Sequence, residues 1–314
     1  MEEQKSSGQN TKNRKPWKHS IYEFYDRKYK ALLIIPFIIL FFSLAQIGYQ
    51  LYSTGDFVKK DVSLRGGVTL TIPYQKNFDS IQIQKIIKQK FPDSDVSVRS
   101  LRSTGNVVGI VVEAAIEGTD KEEVKKLLDA TGSSLQVDLR KVDYGIEIIG
   151  SSLGSSFFRE SLIALAVAFI FMGLVVFIYF RTLVPSVAVV LAAFSDMVFA
   201  LAVINLMGVR IGTAGIAAFL MLIGYSVDTD ILLTTRVLRG KEGSIHDRTL
   251  GAMRTGITMS LTALAAVLVG YFVSQSDVIK QIMLVLSIGL VFDIINTWIT
   301  NAAILRWYLE RKKQ

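Results

Sequence analysis

The chain has 314 residues, is 51% hydrophobic, and has a mean hydropathy of +0.41. That is too apolar for an ordinary soluble domain and fits a polytopic membrane protein with one polar insert. The net charge of +8 does not mark a nucleic-acid binder, because the basic residues flank apolar runs, and the lack of cysteine excludes disulfides and thiolate metal sites.

Residues 1–30 form a basic tail in which Trp17, Tyr22, Phe24, Tyr25 and Tyr29 predict an interfacial helix at the headgroups. A first transmembrane helix follows over 31–52. It is too long for a signal-peptide core and has no small-residue cleavage site behind it, so it is read as retained.

Residues 53–158 have soluble composition. Strand patterns at 67–73, 96–101, 106–114 and 135–142 and amphipathic helices at 79–90 and 120–130 give the order β-α-β-β-α-β. That order predicts an α+β ferredoxin-like domain. Thr104-Gly105-Asn106 predicts the hairpin between the middle strands.

Five further apolar runs at 162–180, 183–206, 212–233, 257–273 and 279–307 predict a helix bundle over 159–307, with 308–314 as a short tail. The fold class expected is therefore an α-helical polytopic membrane protein with one extracytoplasmic α+β domain. Orientation follows from the basic residues. They crowd the N-terminal tail, the loop with Arg236, Arg239, Lys241, Arg248 and Arg254, and the C-terminus with Arg306, Arg311, Lys312 and Lys313. The opposite short loops offer only Arg210 and Lys280. Both termini are expected in the cytoplasm, with 53–158 outside.

Carboxylates within the spans are Asp196, Asp228, Asp230 and Asp293. A charged side chain at the bilayer centre costs about 2.5–3.5 kcal/mol on insertion scales, so each needs a role. Positions i and i+2 lie about 200° apart on a helix, so Asp228 and Asp230 cannot face the same groove. Arg254 could snorkel to the interface or reach inward to a carboxylate, helped by Thr258, Ser260 and Thr262. Two readings stay open at this level: a proton or ion relay, and hydrogen-bonded aspartates that glue helices together. Small residues through the fourth span, among them Gly224 and Ser226, permit the close packing either needs.

Soluble-enzyme motifs are missing: there is no phosphate loop, and no H-E-x-x-H zinc helix. No cofactor, bound metal or covalent chemistry is expected, nor any nucleic-acid partner.

Several motifs resemble one known family. The six-span layout with one large domain after the first span, and the block Gly224-Tyr225-Ser226-Val227-Asp228-Thr229-Asp230, resemble the SecF branch of the SecD/SecF protein-export family, in its archaeal form. Asp228 falls where SecD-type sequences carry their aspartate, and Asp230 stands where relatives have Asn or Thr. Leu64-Arg65-Gly66-Gly67-Val68 resembles the family's double-glycine turn, with Ser63 where an aspartate is usual. Asp196 resembles the third-span aspartate, and Arg254 with Thr258 the motif opening the fifth span. The resemblance implies half of a resistance-nodulation-division type bundle, working with SecD beside a SecY/SecE-type translocon on emerging preproteins, among membrane lipids. It also implies proton or ion coupling through Asp228, Asp230, Arg254, Asp196 and Asp293, supported by Thr258 and Ser226, with Asp228 and Arg254 weighted above Asp230. Two other classes remain as alternatives: a stand-alone ion-driven exporter of amphiphiles or lipids acting as a homodimer, and a pure scaffold.

Overall fold

The structure is a computed structural model that describes residues 28–103, 106–118, 120–240 and 243–312. The interfacial helix expected before the first span lies outside these residues, apart from Tyr29. The Tyr29 hydroxyl donates to Glu310, and Arg306 covers its ring at 4.3 Å, so the first and last helices meet at their polar ends.

Among the described residues, six helical stretches are long and apolar enough to cross a membrane: Lys28–Thr54, Ser151–Phe180, Leu183–Met207, Thr213–Arg239, Ile245–Val273 and Asp277–Lys312. The first contains α1 (Ile34–Thr54), the next four are α5 to α8, and the last divides into α9 (Asp277–Ile295), a π-helical turn (Asn296–Asn301) and α10 (Ala302–Lys312). The second and fifth stretches begin about a dozen residues before their apolar runs. Polar first turns carry no hydropathy signal, yet Ser244 and Asp247 form a reciprocal capping box that starts α8. The Gly150-Ser151-Ser152 segment is the cap and first turn of α5.

α6 is the axis of the bundle. Its small residues Ala188, Ala192, Ala193 and Ala200 are fully or almost fully buried, and they let α1, α5, α7 and α9 approach it. α1 and α5 lie at the periphery, with Phe41 and Ile170 turned outward.

Between α1 and α5, a short helix α2 (Val62–Arg65) leads into β1 (Gly67–Pro73), α3 (Ser80–Lys90), β2 (Val96–Ser103), β3 (Asn106–Ala114), α4 (Lys121–Leu135) and β4 (Gly145–Ile149). The strands form one antiparallel sheet in the order β2-β3-β1-β4, the ferredoxin-like arrangement. Asp79 and Asp120 cap the two helices by accepting from backbone N–H groups two residues on, at 2.9 and 2.8 Å. Ile83, Ile87, Leu127 and Ala130 then close on Leu70, Ile72, Ile110 and Val112.

The expected fourth strand at 135–142 is a correction. Leu135 ends α4, Gln136 takes a left-handed conformation (φ 54°), and Leu139–Lys141 form a 3-10 turn. The edge strand is the next apolar run, Gly145–Ile149, which pairs with β1.

Gly66 and Gly67 do sit at a joint. Both have positive φ (85° and 135°), and a Cβ would come within 2.4 Å of Ser151 Cα and of the Ala114 carbonyl oxygen respectively. Only glycine lets the linker turn there while touching the start of α5.

Candidate functional site: a buried carboxylate cluster

Inside the bundle, α6, α7 and α9 bring Asp196, Asp230 and Asp293 into one polar interior, each with no exposed surface. Hydroxyls and amides surround them. Ser226 Oγ donates to Asp196 Oδ2 at 2.6 Å, and Asn296 Nδ2 donates to Asp196 Oδ1 at 2.6 Å. Around Asp293, Thr229 and Thr297 hydroxyls stand at 3.2 Å, with Ser260 at 3.5 Å. Asn301 Nδ2 donates to Asp230 Oδ1 at 2.8 Å.

The geometry explains the π-helical turn. Asp293 and Thr297 share a face of the sixth span at i and i+4, and the wider i→i+5 turn gives Asn296 and Asn301 room to address different carboxylates. Gly256 on α8 makes way for the base of this turn, since a Cβ there would lie 2.2 Å from the Trp298 ring.

Charge is the unbalanced quantity. No ion pair among the described residues involves any of the three aspartates, and the donors are neutral. Three negative charges in a low-dielectric interior repel strongly, so protons or a bound cation must neutralise the cluster. Acceptor capacity is also unused: Asp230 Oδ2, Asn301 Oδ1 and Thr234 Oγ1 are buried without a hydrogen-bond partner. Such a site can hold and pass on protons or a small cation.

The structure separates the other sequence-level candidates from this cluster. Asp228 is exposed on the outer face of α7, about 200° round from Asp230 as helix geometry requires. Arg254 is likewise exposed on α8 and makes no ion pair among the described residues, so the inward reach to a carboxylate does not occur. Thr258 donates to the Arg254 carbonyl and Thr262 to that of Thr258, both at 2.8 Å. Of that helix only Ser260 reaches the cluster. The weighting of Asp228 over Asp230 came from the resemblance; burial and hydrogen bonding belong to Asp230. Asn296, Thr297 and Asn301 were missed, although four polar residues in Asn296-Thr297-Trp298-Ile299-Thr300-Asn301 interrupt an apolar span and could have been read as a signal.

A second polar system ties the α/β domain to the bundle. Arg210 Nη2 donates to Asp95 at 2.9 Å, and Arg65 donates to the same carboxylate. Partial burial would raise the Asp95 pKa, but the two guanidinium groups outweigh it and hold the carboxyl below its usual range. Arg99 lies 2.8 Å from Glu113 and 3.8 Å from Asp277 at the start of α9. Burial pushes the Glu113 carboxyl up, only partly countered by Arg99.

The family model described as "Protein export membrane protein SecD/SecF, C-terminal" matches residues 130–311, from within α4 of the α/β domain through the last five spans. The chain belongs to the SecD/SecF family. It is 37% identical over 290 residues to the protein-export membrane protein SecF of Methanocaldococcus jannaschii, covering 90% of this chain and 96% of that one. The Pyrococcus furiosus SecF is 38% identical over 285 residues, covering 90% and 92%. Among solved structures, the crystal structure of SecDF from Thermus thermophilus, a translocon-associated membrane protein, aligns with a TM-score of 0.69 at 17% identity. That match covers 90% of this chain but 38% of the SecDF chain, and it supports the fold alone. With its six apolar helices, this member of the family is a multi-pass membrane protein.

Proposed function

We propose that the chain is the SecF-type subunit of a SecD–SecF pair that assists preprotein movement through the Sec translocon. Ion or proton transfer at Asp196, Asp230 and Asp293 drives the pair. The observation that carries the coupling is the uncompensated charge: three fully buried carboxylates share neutral donors, and no Lys, Arg or His among the described residues forms an ion pair with them. A merely structural polar core would be satisfied by amides and hydroxyls alone.

The outer face of α7 and α8 is the surface for SecD. Asp228 is exposed there within an apolar span, where lipid cannot solvate it, and Arg254 is exposed on the polar first part of α8. A Cβ added at Gly224 would meet nothing within 4 Å, which leaves space for a neighbouring helix to approach. The lysine and arginine distribution supports cytoplasmic termini and an α/β domain, residues 53–158, on the outer side, where it would meet emerging chains. No step of covalent chemistry is assigned to the protein.

The test pairs two readouts. A tagged chain purified gently from its native membrane should bring down SecD and translocon subunits. Asp230→Asn at normal membrane abundance should then slow secretion while leaving that assembly intact. A reproducible homodimer without SecD would replace this reading with a stand-alone exporter.

A further inference from the structure

A crevice opens in the bundle wall near the α/β domain. α1 and α5 both pack against α6, and a gap remains between them with α6 as its floor. The gap has a volume of about 240 Å³ and hydrocarbon walls: Ile47 from α1, Phe158 and Leu165 from α5, Met197 and Leu201 from α6. Leu44 and Phe194 at its rim are 47% and 41% exposed. Both belong to membrane-spanning stretches, so the rim faces lipid rather than water. An empty gap there would forfeit dispersion contacts that a hydrocarbon chain restores.

A polar recess adjoins the crevice at Val58 and is lined by Lys59, Lys60, Arg65 and Arg210 against Asp56 and Asp95, four positive charges to two negative. Asp95 takes both arginines, and Asp56 pairs with Lys60 at 2.7 Å. Lys59 is exposed and has no ion pair among the described residues. The Lys60 ammonium also rests over the Phe158 ring at 4.6 Å, so the basic recess sits directly on the apolar crevice. A net positive, partly unpaired recess above a hydrocarbon slot matches an amphiphile with an anionic head and a long chain.

We propose that this is a binding site for an anionic membrane lipid of the leaflet nearer the α/β domain, with its head on Lys59 and Lys60 and one chain in the crevice. The lipid bears on the joint between bundle and domain. Ile211 N donates to the Lys59 carbonyl at 2.7 Å, and Asp61 N donates to the Ile211 carbonyl at 3.0 Å, so the linker that carries both lysines is stitched to the loop between α6 and α7. An occupied crevice holds α1 and α5 apart and braces that stitch.

Native mass spectrometry tests the assignment on the full chain released from nanodiscs of equal phosphatidylglycerol and phosphatidylcholine with matched chains. Retained adducts should be enriched in phosphatidylglycerol. Lys59→Ala should lower that enrichment roughly fivefold, the worth of one basic residue at a membrane surface. Met197→Phe, which narrows the slot, should lower retention of both lipids, with unchanged thermal melting as the control for folding. Equal retention of the two lipids, or enrichment untouched by Lys59→Ala, would overturn the proposal. Displacement by excess glycerol phosphate would reassign the recess to a soluble anion. Capture of a synthetic apolar peptide in place of lipid would reassign the crevice to a client segment.

Discussion

The Asn301–Asp230 contact offers a quantitative handle on the cluster. Asn301 Nδ2 donates to Asp230 Oδ1 at 2.8 Å, with the Thr297 hydroxyl also beside that carboxylate, and the Asn301 and Asp230 side chains are fully buried. Asn301→Leu removes this donor while roughly conserving shape, which leaves Asp230 with only the Thr297 hydroxyl beside it. An unsatisfied buried polar group costs about 1–3 kcal/mol, and more if it is charged. Asp230→Leu alone strands the Asn301 amide at a similar cost. The double variant removes both partners, and apolar replacement of a buried polar pair is often close to neutral. The expected coupling between the two sites is therefore about 1–3 kcal/mol in the direction that favours the double variant. Thermal unfolding in mild detergent reads it out, at roughly 2–4 °C for each kcal/mol in a chain of comparable size. Each single variant should melt several degrees lower, and the double should recover most of the loss. Strictly additive single losses would refute the contact. Secretion supplied by the double variant is the decisive companion. A stable protein that fails to support export means the carboxylate acts in coupling, whereas normal export would make the pair simple glue between α7 and the π-helical turn.

Further outcomes follow from the packing. Gly256→Ala should destabilise the bundle by about 1–3 kcal/mol, because its Cβ meets the Trp298 ring at 2.2 Å, and melting curves will show it. Gly224→Leu should leave melting unchanged yet reduce SecD recovery on affinity purification, since the space it fills belongs to the partner; full recovery would move the interface elsewhere. Asp95→Asn should loosen the α/β domain from the bundle, seen as a broader distance distribution between spin labels at Lys126 and Thr255. Wild-type protein should show the same loosening on acidification. The lowered Asp95 carboxyl contributes attachment that is complete above its ordinary value of 3.8 and is lost as pH falls below that toward the folded value. Broadening that begins instead at neutral pH would contradict the role of Asp95.

The sequence carried the architecture through two strong periodic signals. Twenty-residue apolar runs marked six helices, and alternation within the insert marked a split βαβ order. Boundaries suffered where polar helix ends carry no hydropathy, as at Ser151 and Ile245, and where two apolar runs competed for the last strand. The site was half legible. Mid-span aspartates announce themselves by cost, but which side of a helix faces the bundle is a matter of tertiary packing. Helix geometry could separate Asp228 from Asp230 without saying which turned inward. The π-helical turn lay further from reach, because an added residue in a turn changes facing without changing composition. Asn301 is about two turns from Asp293, and the wider turn between them resets the side of the helix that Asn301 faces.

The central claim is that Asp196, Asp230 and Asp293 pass protons or a cation in the working pair. The most direct measurement is ion flux into proteoliposomes that contain the chain co-purified with SecD, with a pH-sensitive or sodium-sensitive dye trapped inside. Wild-type pairs should conduct under an imposed gradient, and Asp230→Asn pairs of equal abundance and melting temperature should lose that flux. Equal flux from the two would contradict the account and leave the buried carboxylates as structural.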